Sequence, residues 1–153
     1  MVKLIIFNLA ILLALPGCSF HKNEMTNLEI IKSTYEGNTS EENGKNLSKY
    51  LADNATWTEA KGFPYGGTYI GFNEISKKVF YRLGSEWIDY KFTVEGYVAG
   101  EDKVVAYGTY TGTYKKTNKS FEARVSHLWK LKDGIIISFE QFVDSQIVNN
   151  AIN

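Results

Sequence analysis

Two titratable side chains that could move protons, His127 and Asp144, lie in one stretch near the carboxyl end of the chain. An imidazole with a pKa of about 6.5 can exchange protons at neutral pH. Between them, the Asp133-Gly134 dipeptide separates two runs rich in β-branched and aromatic residues. This pattern predicts a hairpin with a two-residue turn, since both turn positions need a positive φ.

The hairpin determines which residues face each other. If the two residues that flank the turn are paired, His127 lies opposite Glu140, and both share a face with Asp144. Asp144 is then roughly 13 Å along the strand, so it would bracket a ligand with His127 and not touch it. Two structural alternatives stay open: Glu140 simply pairs with His127, and Asp144 caps a turn or meets Arg124.

A second acid, Glu59, shares one face of a short predicted strand with Trp57, because side chains alternate along a strand. A pocket that contains Trp57 would therefore also contain Glu59. Burial among Trp57, Phe63 and Trp87 would raise the pKa of the Glu59 carboxyl toward the range that suits a general base. The alternative is a strand glutamate that faces solvent.

Tyr35 is the fourth candidate. A capping box at Thr26 to Glu29 starts a predicted helix over about 26–37. Leu28, Ile31 and Tyr35 form one stripe of that helix, which predicts a buried side for Tyr35. Its hydroxyl could donate to a developing negative charge, although a buried tyrosine is more often a core residue with a satisfied hydroxyl.

The elements that must position these residues change type near residue 88. Helical spacing predicts helices over about 26–37, 40–51 and 72–83, and period-two alternation predicts strands over about 89–99, 103–115, 120–131 and 135–146. Helices followed by a strand meander predict the α+β class, with one curved antiparallel sheet wrapped around three N-terminal helices. The face opposite His127 carries Leu128, Ile137, Phe139 and Val143, which predicts a homodimer through this outer face.

The first residues have the character of a leader and not of a domain. An apolar run from Leu4 to Leu15 is too short for a permanent membrane helix, which needs about 20 residues. It ends in Leu-Pro-Gly before Cys18, the only cysteine of the chain, which predicts a lipoprotein signal peptide over 1–17 and lipidation of Cys18. Residues 18–25 are then a lipidated tether, and 26–153 are one domain, exported and held at the periplasmic side of the bacterial outer membrane.

Composition and motifs exclude several classes of partner. Seventeen basic residues balance seventeen acidic ones without basic clusters, so the sequence predicts no nucleic-acid binding. The sequence contains neither a metal-ligand spacing such as Cys-x-x-Cys nor a phosphate-binding loop, so it predicts no metal and no cofactor.

Three fragments together resemble the SnoaL-like and ketosteroid-isomerase-like members of the nuclear transport factor 2-like superfamily. They are LADNATW at 51–57, YIGFNEI at 69–75 and HLWKLKDG at 127–134, and the resemblance covers residues 27 to about 148. It implies a cone-shaped fold whose concave sheet and helices enclose an apolar pocket. The implied ligand is a small apolar or carbonyl-bearing molecule.

The resemblance also implies roles. Tyr35 matches the oxyanion-donor position of ketosteroid isomerases, Glu59 the general base and His127 the second pocket acid. Asp144 stands where the isomerases have an aromatic residue, and its pairing with His127 resembles SnoaL-like cyclases. The implied activity is cofactor-free proton transfer, and the alternative is a non-catalytic module for ligand carriage or protein interaction. The expected ligand-binding residues are Trp57, Phe63, Trp87, Trp129, Phe142 and Glu140.

Overall fold

The computed structural model describes residues 25–153. The predicted signal peptide and Cys18 lie outside the described residues. The first helix, α1 (Asn27–Ser33), starts with the predicted capping box, in which the backbone N–H of Glu29 donates to the Thr26 hydroxyl at 3.3 Å. This helix ends earlier than predicted, at the cap residue Thr34, so Tyr35 lies in the turn that follows.

Two further helical segments complete the wall opposite the sheet. Helix α2 (Ser40–Tyr50) is capped by the Thr39 side chain. The second segment runs through α3 (Gly71–Ile75), a π-helical turn (Ser76–Phe80) and α4 (Tyr81–Glu86). Gly71 has a φ of +71°, and a Cβ there would collide with the carbonyl oxygen of Asp53. Glycine is therefore required where this segment begins.

The sheet has six strands in the order β2-β1-β6-β5-β4-β3. They are β1 (Leu51–Glu59), β2 (Gly67–Ile70), β3 (Trp87–Ala99), β4 (Lys103–Tyr114), β5 (Lys119–Lys132) and β6 (Ile135–Val143). The predicted α+β class is confirmed, but the prediction of a purely antiparallel sheet was wrong. Strand β1 pairs in parallel with β6, the last strand of the meander.

The hairpin between β5 and β6 has the predicted turn, with φ values of 51° at Asp133 and 74° at Gly134. Its register starts as predicted but shifts beyond Leu131, where Lys130 pairs with Ser138. This β-bulge adds one residue to β6, and a shift of one residue exchanges the two faces of a strand. His127 therefore faces Gln141, and the predicted pairing of His127 with Glu140 was wrong.

The bulge also changes the outer face of the sheet. Phe139, predicted to point away from His127, is buried, and its ring centroid lies 4.8 Å from that of the imidazole. It is an inner-face residue and does not contribute to the outer apolar surface.

A short helix that the sequence did not indicate, α5 (Ser145–Ile152), follows β6. Val148 and Ala151 of this helix are buried in an aromatic cluster with Phe63, Trp87 and Phe121. A second apolar cluster around Trp57, Trp129 and Phe139 packs helices against the sheet. No helix within residues 25–153 is long and apolar enough to cross a membrane.

Candidate functional site

A cavity of about 580 Å³ lies between the helices and the concave face of the sheet. Its volume is in the range of small-molecule sites, about 300–1,000 Å³. Eight of the nineteen lining residues have aromatic rings, and the lining also contains the buried carboxyl of Glu59, the exposed carboxyl of Asp89 and one imidazole. The aromatic and titratable residues of the buried wall are Tyr35, Trp57, Glu59, Phe80, Trp87, Tyr90, Tyr110, His127, Trp129 and Phe139.

Glu59, at the end of β1, is only 4% exposed. The indole N–H of Trp57, two residues earlier on the same face, donates to Glu59 Oε1 at 2.7 Å. The other carboxyl oxygen, Oε2, is buried without a hydrogen-bond partner. Burial raises the pKa of Glu59 to about 7, while the Trp57 hydrogen bond acts in the opposite direction. The carboxyl can therefore both take up and release a proton near neutral pH.

Trp57 is fixed by its neighbours. Its ring stacks on Phe139 of β6 with a centroid distance of 3.7 Å, and Trp129 packs edge-on at 5.5 Å. The Trp57–Phe139 contact forms across the parallel pairing of β1 and β6, where these two residues are register partners. The strand pairing thus determines where the carboxyl of Glu59 lies.

His127, on β5, is hydrogen-bonded at both ring nitrogens. The Tyr35 hydroxyl lies 2.6 Å from Nδ1 and the Tyr110 hydroxyl 2.6 Å from Nε2. Burial lowers the pKa of His127 to about 3, so the imidazole is neutral at physiological pH. This pKa lies below the ordinary value near 6.5 from which the sequence predicts proton exchange by His127, because burial removes the ring from water.

The two phenols have further partners. Trp129 Nε1 donates to the Tyr35 hydroxyl at 2.9 Å, and Gln141 Nε2 donates to the Tyr110 hydroxyl at 3.3 Å. Burial raises the pKa of both phenols above the ordinary tyrosine value, so both keep their protons. Helix α2 also contacts Tyr35, because Asn43 Nδ2 donates a hydrogen bond to the backbone carbonyl of Tyr35 at 3.1 Å.

Sequence reasoning missed Tyr110 and Gln141. Tyr110 lies on the inner face of β4, where alternate residues from Val104 to Tyr114 are buried, so period-two alternation was a usable signal. Gln141 could not be found in this way, because the bulge reverses the alternation of β6.

The other predicted ligand contacts separate into two groups. Trp57, Trp87 and Trp129 line the cavity. Phe63 is buried, but it packs edge-on against Tyr65 in the neighbouring aromatic cluster and does not line the cavity. The same cluster orients Trp87, whose indole N–H donates to the Tyr65 hydroxyl at 2.7 Å.

Three predicted site residues lie away from the cavity. Glu140 and Phe142 point to the outer face of β6, where Phe142 is 50% exposed, because the bulge turns their side chains outward. Asp144 is exposed and caps α5, with its carboxylate accepting the backbone N–H of Ile147 at 3.4 Å. It has the turn-capping role that was the alternative to a place in the pocket.

The charges of the lining restrict its chemistry. None of the lining residues, all of which fall within 25–153, is a lysine or an arginine. Across the same described part of the chain, no group of three His, Cys, Asp or Glu side chains could hold a metal ion. With neutral His127 and protonated phenols, Glu59 is the single buried group of the wall that can carry charge at neutral pH.

Comparisons with solved structures agree with this architecture. An NTF2-like protein from Burkholderia thailandensis is 38% identical, with a TM-score of 0.80, over 85% of this chain and 99% of that one. A candidate SnoaL-like polyketide cyclase from Mesorhizobium loti is 23% identical, with a TM-score of 0.65, over 77% of this chain and 99% of the other.

A further structure is a protein with a ketosteroid isomerase-like fold from Catenulispora acidiphila, solved in complex with trimethylamine. It is 19% identical, with a TM-score of 0.65, over 82% of this chain and 94% of that one. No curated protein matches the sequence significantly.

The family model of the SnoaL-like domain matches residues 33–139. This range contains Tyr35, Glu59, Tyr90, Tyr110 and His127, the titratable groups of the buried wall. The chain therefore belongs to the SnoaL-like domain family.

Proposed function

We propose that the domain binds a small, largely apolar molecule with a carbonyl group and catalyses cofactor-free proton transfer on it. The observation that carries this proposal is Oε2 of Glu59, a buried acceptor without a hydrogen-bond partner on a residue that lines the aromatic cavity. A buried polar atom without a partner costs free energy, which a bound ligand can recover by occupying the site.

In the proposed reaction, the Glu59 carboxylate removes a proton from the carbon next to the ligand carbonyl. The electron pair of that C–H bond moves into the enolate, and negative charge develops on the oxygen. A phenol of Tyr35 or Tyr110 donates a hydrogen bond to this oxygen, which a fixed donor in a dry cavity does effectively. Glu59, now protonated, returns the proton to another carbon of the enolate, so the enzyme regains its initial state.

Isomerisation of cyclohex-3-enone to its conjugated isomer tests this function, because the reaction needs only the two proton transfers and the ketone is small enough for the cavity. We expect Glu59→Gln to reduce the rate by about 100-fold or more, the usual contribution of a general base. The matched control is Glu140→Gln on the outer face, which should leave the rate unchanged. Equal rates for wild type and Glu59→Gln would contradict the role of Glu59.

The alternative function is a non-catalytic module that carries a ligand, and one observation suggests a small amine. A lone buried carboxyl within aromatic walls can stabilise an organic cation through its charge and through cation–π contacts. The similar fold from Catenulispora acidiphila was solved with trimethylamine. Calorimetry distinguishes carriage from catalysis when it compares trimethylammonium with a neutral molecule of similar shape, either isobutane dissolved to saturation or tert-butanol. Preference for the cation without turnover of the ketone favours carriage.

We also propose a homodimer through the outer face of the sheet. Val98, Tyr107 and Phe142 are exposed there at 62%, 39% and 50%, beside the partly buried Val105 and Leu128. Val98, Val105 and Leu128 are successive register partners across β3, β4 and β5, and Ser126 separates Tyr107 from Phe142. Tyr107→Glu should convert a dimer to a monomer in light scattering after size exclusion, and a wild-type monomer would refute the dimer.

For the amino-terminal part, the proposal is an exported lipoprotein anchored through Cys18 at the periplasmic side of the outer membrane. The support is the order of apolar run and single cysteine in the sequence. Cys18→Ser should abolish labelling with a radioactive fatty acid and release the protein from the membrane fraction. Retention of the variant in that fraction would refute the anchor.

A further inference from the structure

The hydrogen bonds of Tyr35, His127 and Tyr110 follow a fixed count of protons. The two phenols carry one each and the neutral imidazole carries one, on either ring nitrogen. Two of the three lie in the bonds that join the phenols to Nδ1 and Nε2. Trp129 and Gln141 donate to the phenol oxygens and so cannot accept the third. One proton therefore remains to be donated outside this network.

The location of this spare proton depends on the imidazole. If Nδ1 carries the hydrogen, it donates to Tyr35, Tyr110 donates to Nε2, and the hydroxyl proton of Tyr35 is free. If Nε2 carries the hydrogen, it donates to Tyr110, Tyr35 donates to Nδ1, and the hydroxyl proton of Tyr110 is free. Both phenols line the cavity, where a ligand oxygen can accept the free proton. When no ligand is bound, Tyr90 can accept the free proton of Tyr110, because its hydroxyl is buried without a partner and its ring centroid lies 5.1 Å from that of Tyr110.

We propose that the tautomer of His127 selects which of the two phenols, Tyr35 or Tyr110, donates a hydrogen bond to the ligand. His127 is then a positioning residue, and Tyr110 is a second donor equivalent to Tyr35. The two states interconvert when Nδ1 passes its proton to Tyr35 and Tyr110 passes its proton to Nε2, while Tyr35 releases its free proton to water in the cavity and Tyr110 takes up one proton from water. The network holds three protons before and after this exchange. A ligand oxygen can thus accept a hydrogen bond from Tyr35 or from Tyr110, but not from both at the same time.

This inference rests on the proposed function for its consequence in catalysis, but its structural part can be tested without any ligand. In Tyr110→Phe, the imidazole N–H keeps a partner only at Tyr35, which predicts the Nδ1–H tautomer. In Tyr35→Phe, it keeps a partner only at Tyr110, which predicts the Nε2–H tautomer. Two-bond ¹⁵N–¹H correlation spectra of protein labelled at histidine distinguish the tautomers by the shifts of the two ring nitrogens.

We expect opposite tautomers in the two variants, and wild-type shifts between them. Tyr97→Phe is the matched control, since it removes a buried tyrosine hydroxyl of β3 outside this network, and its spectrum should equal that of wild type. The same tautomer in both variants overturns the proposal. If a variant does not fold, the ring-nitrogen shifts of His127 in wild type are sufficient for the test. Shifts between those of the two tautomers support the proposal, and the shifts of one pure tautomer overturn it.

Affinity for cyclohex-2-enone provides the second readout. Each single variant retains one spare phenol proton, so its affinity should stay within about threefold of wild type, whereas the double variant should lose about tenfold, the usual worth of one hydrogen bond. A single variant that loses as much as the double variant overturns the proposal. Failure of the ketone to bind to wild type would count against the proposed function, and the tautomer spectra would still decide the role of His127.

Discussion

Glu59 illustrates how a single residue obtains its chemistry from its surroundings. Removal from water raises the pKa of its carboxyl, and the one hydrogen bond from Trp57 only partly offsets this effect. If Glu59 is the base, the rate of proton transfer should rise with pH and level off above about 7, where the carboxylate predominates.

Trp57→Phe tests this balance. The variant removes the hydrogen bond that lowers the pKa of Glu59, so the midpoint of the pH–rate profile should move to higher pH. Profiles of the cyclohex-3-enone reaction measure the midpoint. Phe80→Leu is the control, because it alters another wall aromatic that packs on Trp57 but leaves the hydrogen bond in place. A midpoint that stays or falls in Trp57→Phe would contradict this account of the carboxyl.

Among individual residues, those on regular alternation could be predicted from the sequence. Trp57 and Glu59 share a face of β1, as period two requires, and both line the cavity. The partners of His127 could not be predicted, because they come from β4, from the turn after α1 and from a shifted β6. Such a hydrogen-bond network depends on tertiary packing that no local pattern contains.

Asp144 stabilises a whole element of the fold, because its carboxylate caps the N-terminus of α5. Asp144→Ala should reduce the free energy of unfolding by about 1 kcal/mol, the typical cost of a lost N-cap. Urea denaturation measures this loss, and Asp144→Asn, which can still cap, is the control. The affinity for cyclohex-2-enone should be unchanged in both variants, and a large loss of affinity would show that Asp144 contributes to the site.

The β-bulge in β6 determines which residues of this strand face the cavity. Insertion of one alanine after Ile137 would shift the later residues of β6 by one position and bring Glu140, in place of Gln141, opposite His127 on the buried face. A buried carboxylate is unfavourable, so we expect a loss of several kcal/mol in unfolding free energy. Ile137→Ala keeps the number of residues and should cost about 1 kcal/mol, because Ile137 is only partly buried. Equal stability of the insertion variant and wild type would refute this role of the register.

At the scale of the whole molecule, the α+β class and the meander could be predicted, since both follow from periodicity and turn residues. The position of β1 between β2 and β6 could not be predicted, because strand order is determined by packing between distant segments. Helix α5 was missed because its sequence, SQIVNNAI, continues directly from a strand with no glycine or proline between them.

The stability of the whole domain should depend on pH through Glu59. The pKa of this carboxyl is about 7 in the folded chain, against 4.5 in the unfolded one. Between these values the folded state holds a proton that the unfolded state has lost, so this group stabilises the fold at low pH and the effect is lost as pH rises to 7. Glu59→Gln should therefore match wild type near pH 4.5 and exceed it by about 3 kcal/mol above pH 7.

Urea titrations across this range measure the difference between the two proteins. Comparison with Glu140→Gln, an exposed glutamate on the same sheet, controls for the general effect of removing one negative charge. A difference between wild type and Glu59→Gln that stays constant from pH 4.5 to 8 would contradict the burial of an ionisable carboxyl.

The parallel pairing of β1 with β6 has a consequence for the order of events in folding. Strands β3 to β6 meet their neighbours through short connections, whereas the backbone N–H of Ala60, next to Glu59, bonds to Gln141 Oε1 across 81 residues of sequence. Contacts between distant segments carry a larger entropic cost and form more slowly than local ones. Glu59 therefore reaches its place only when β6 has been synthesised and paired. During translation, β3, β4 and β5 can thus pair before the domain has any capacity to bind a ligand.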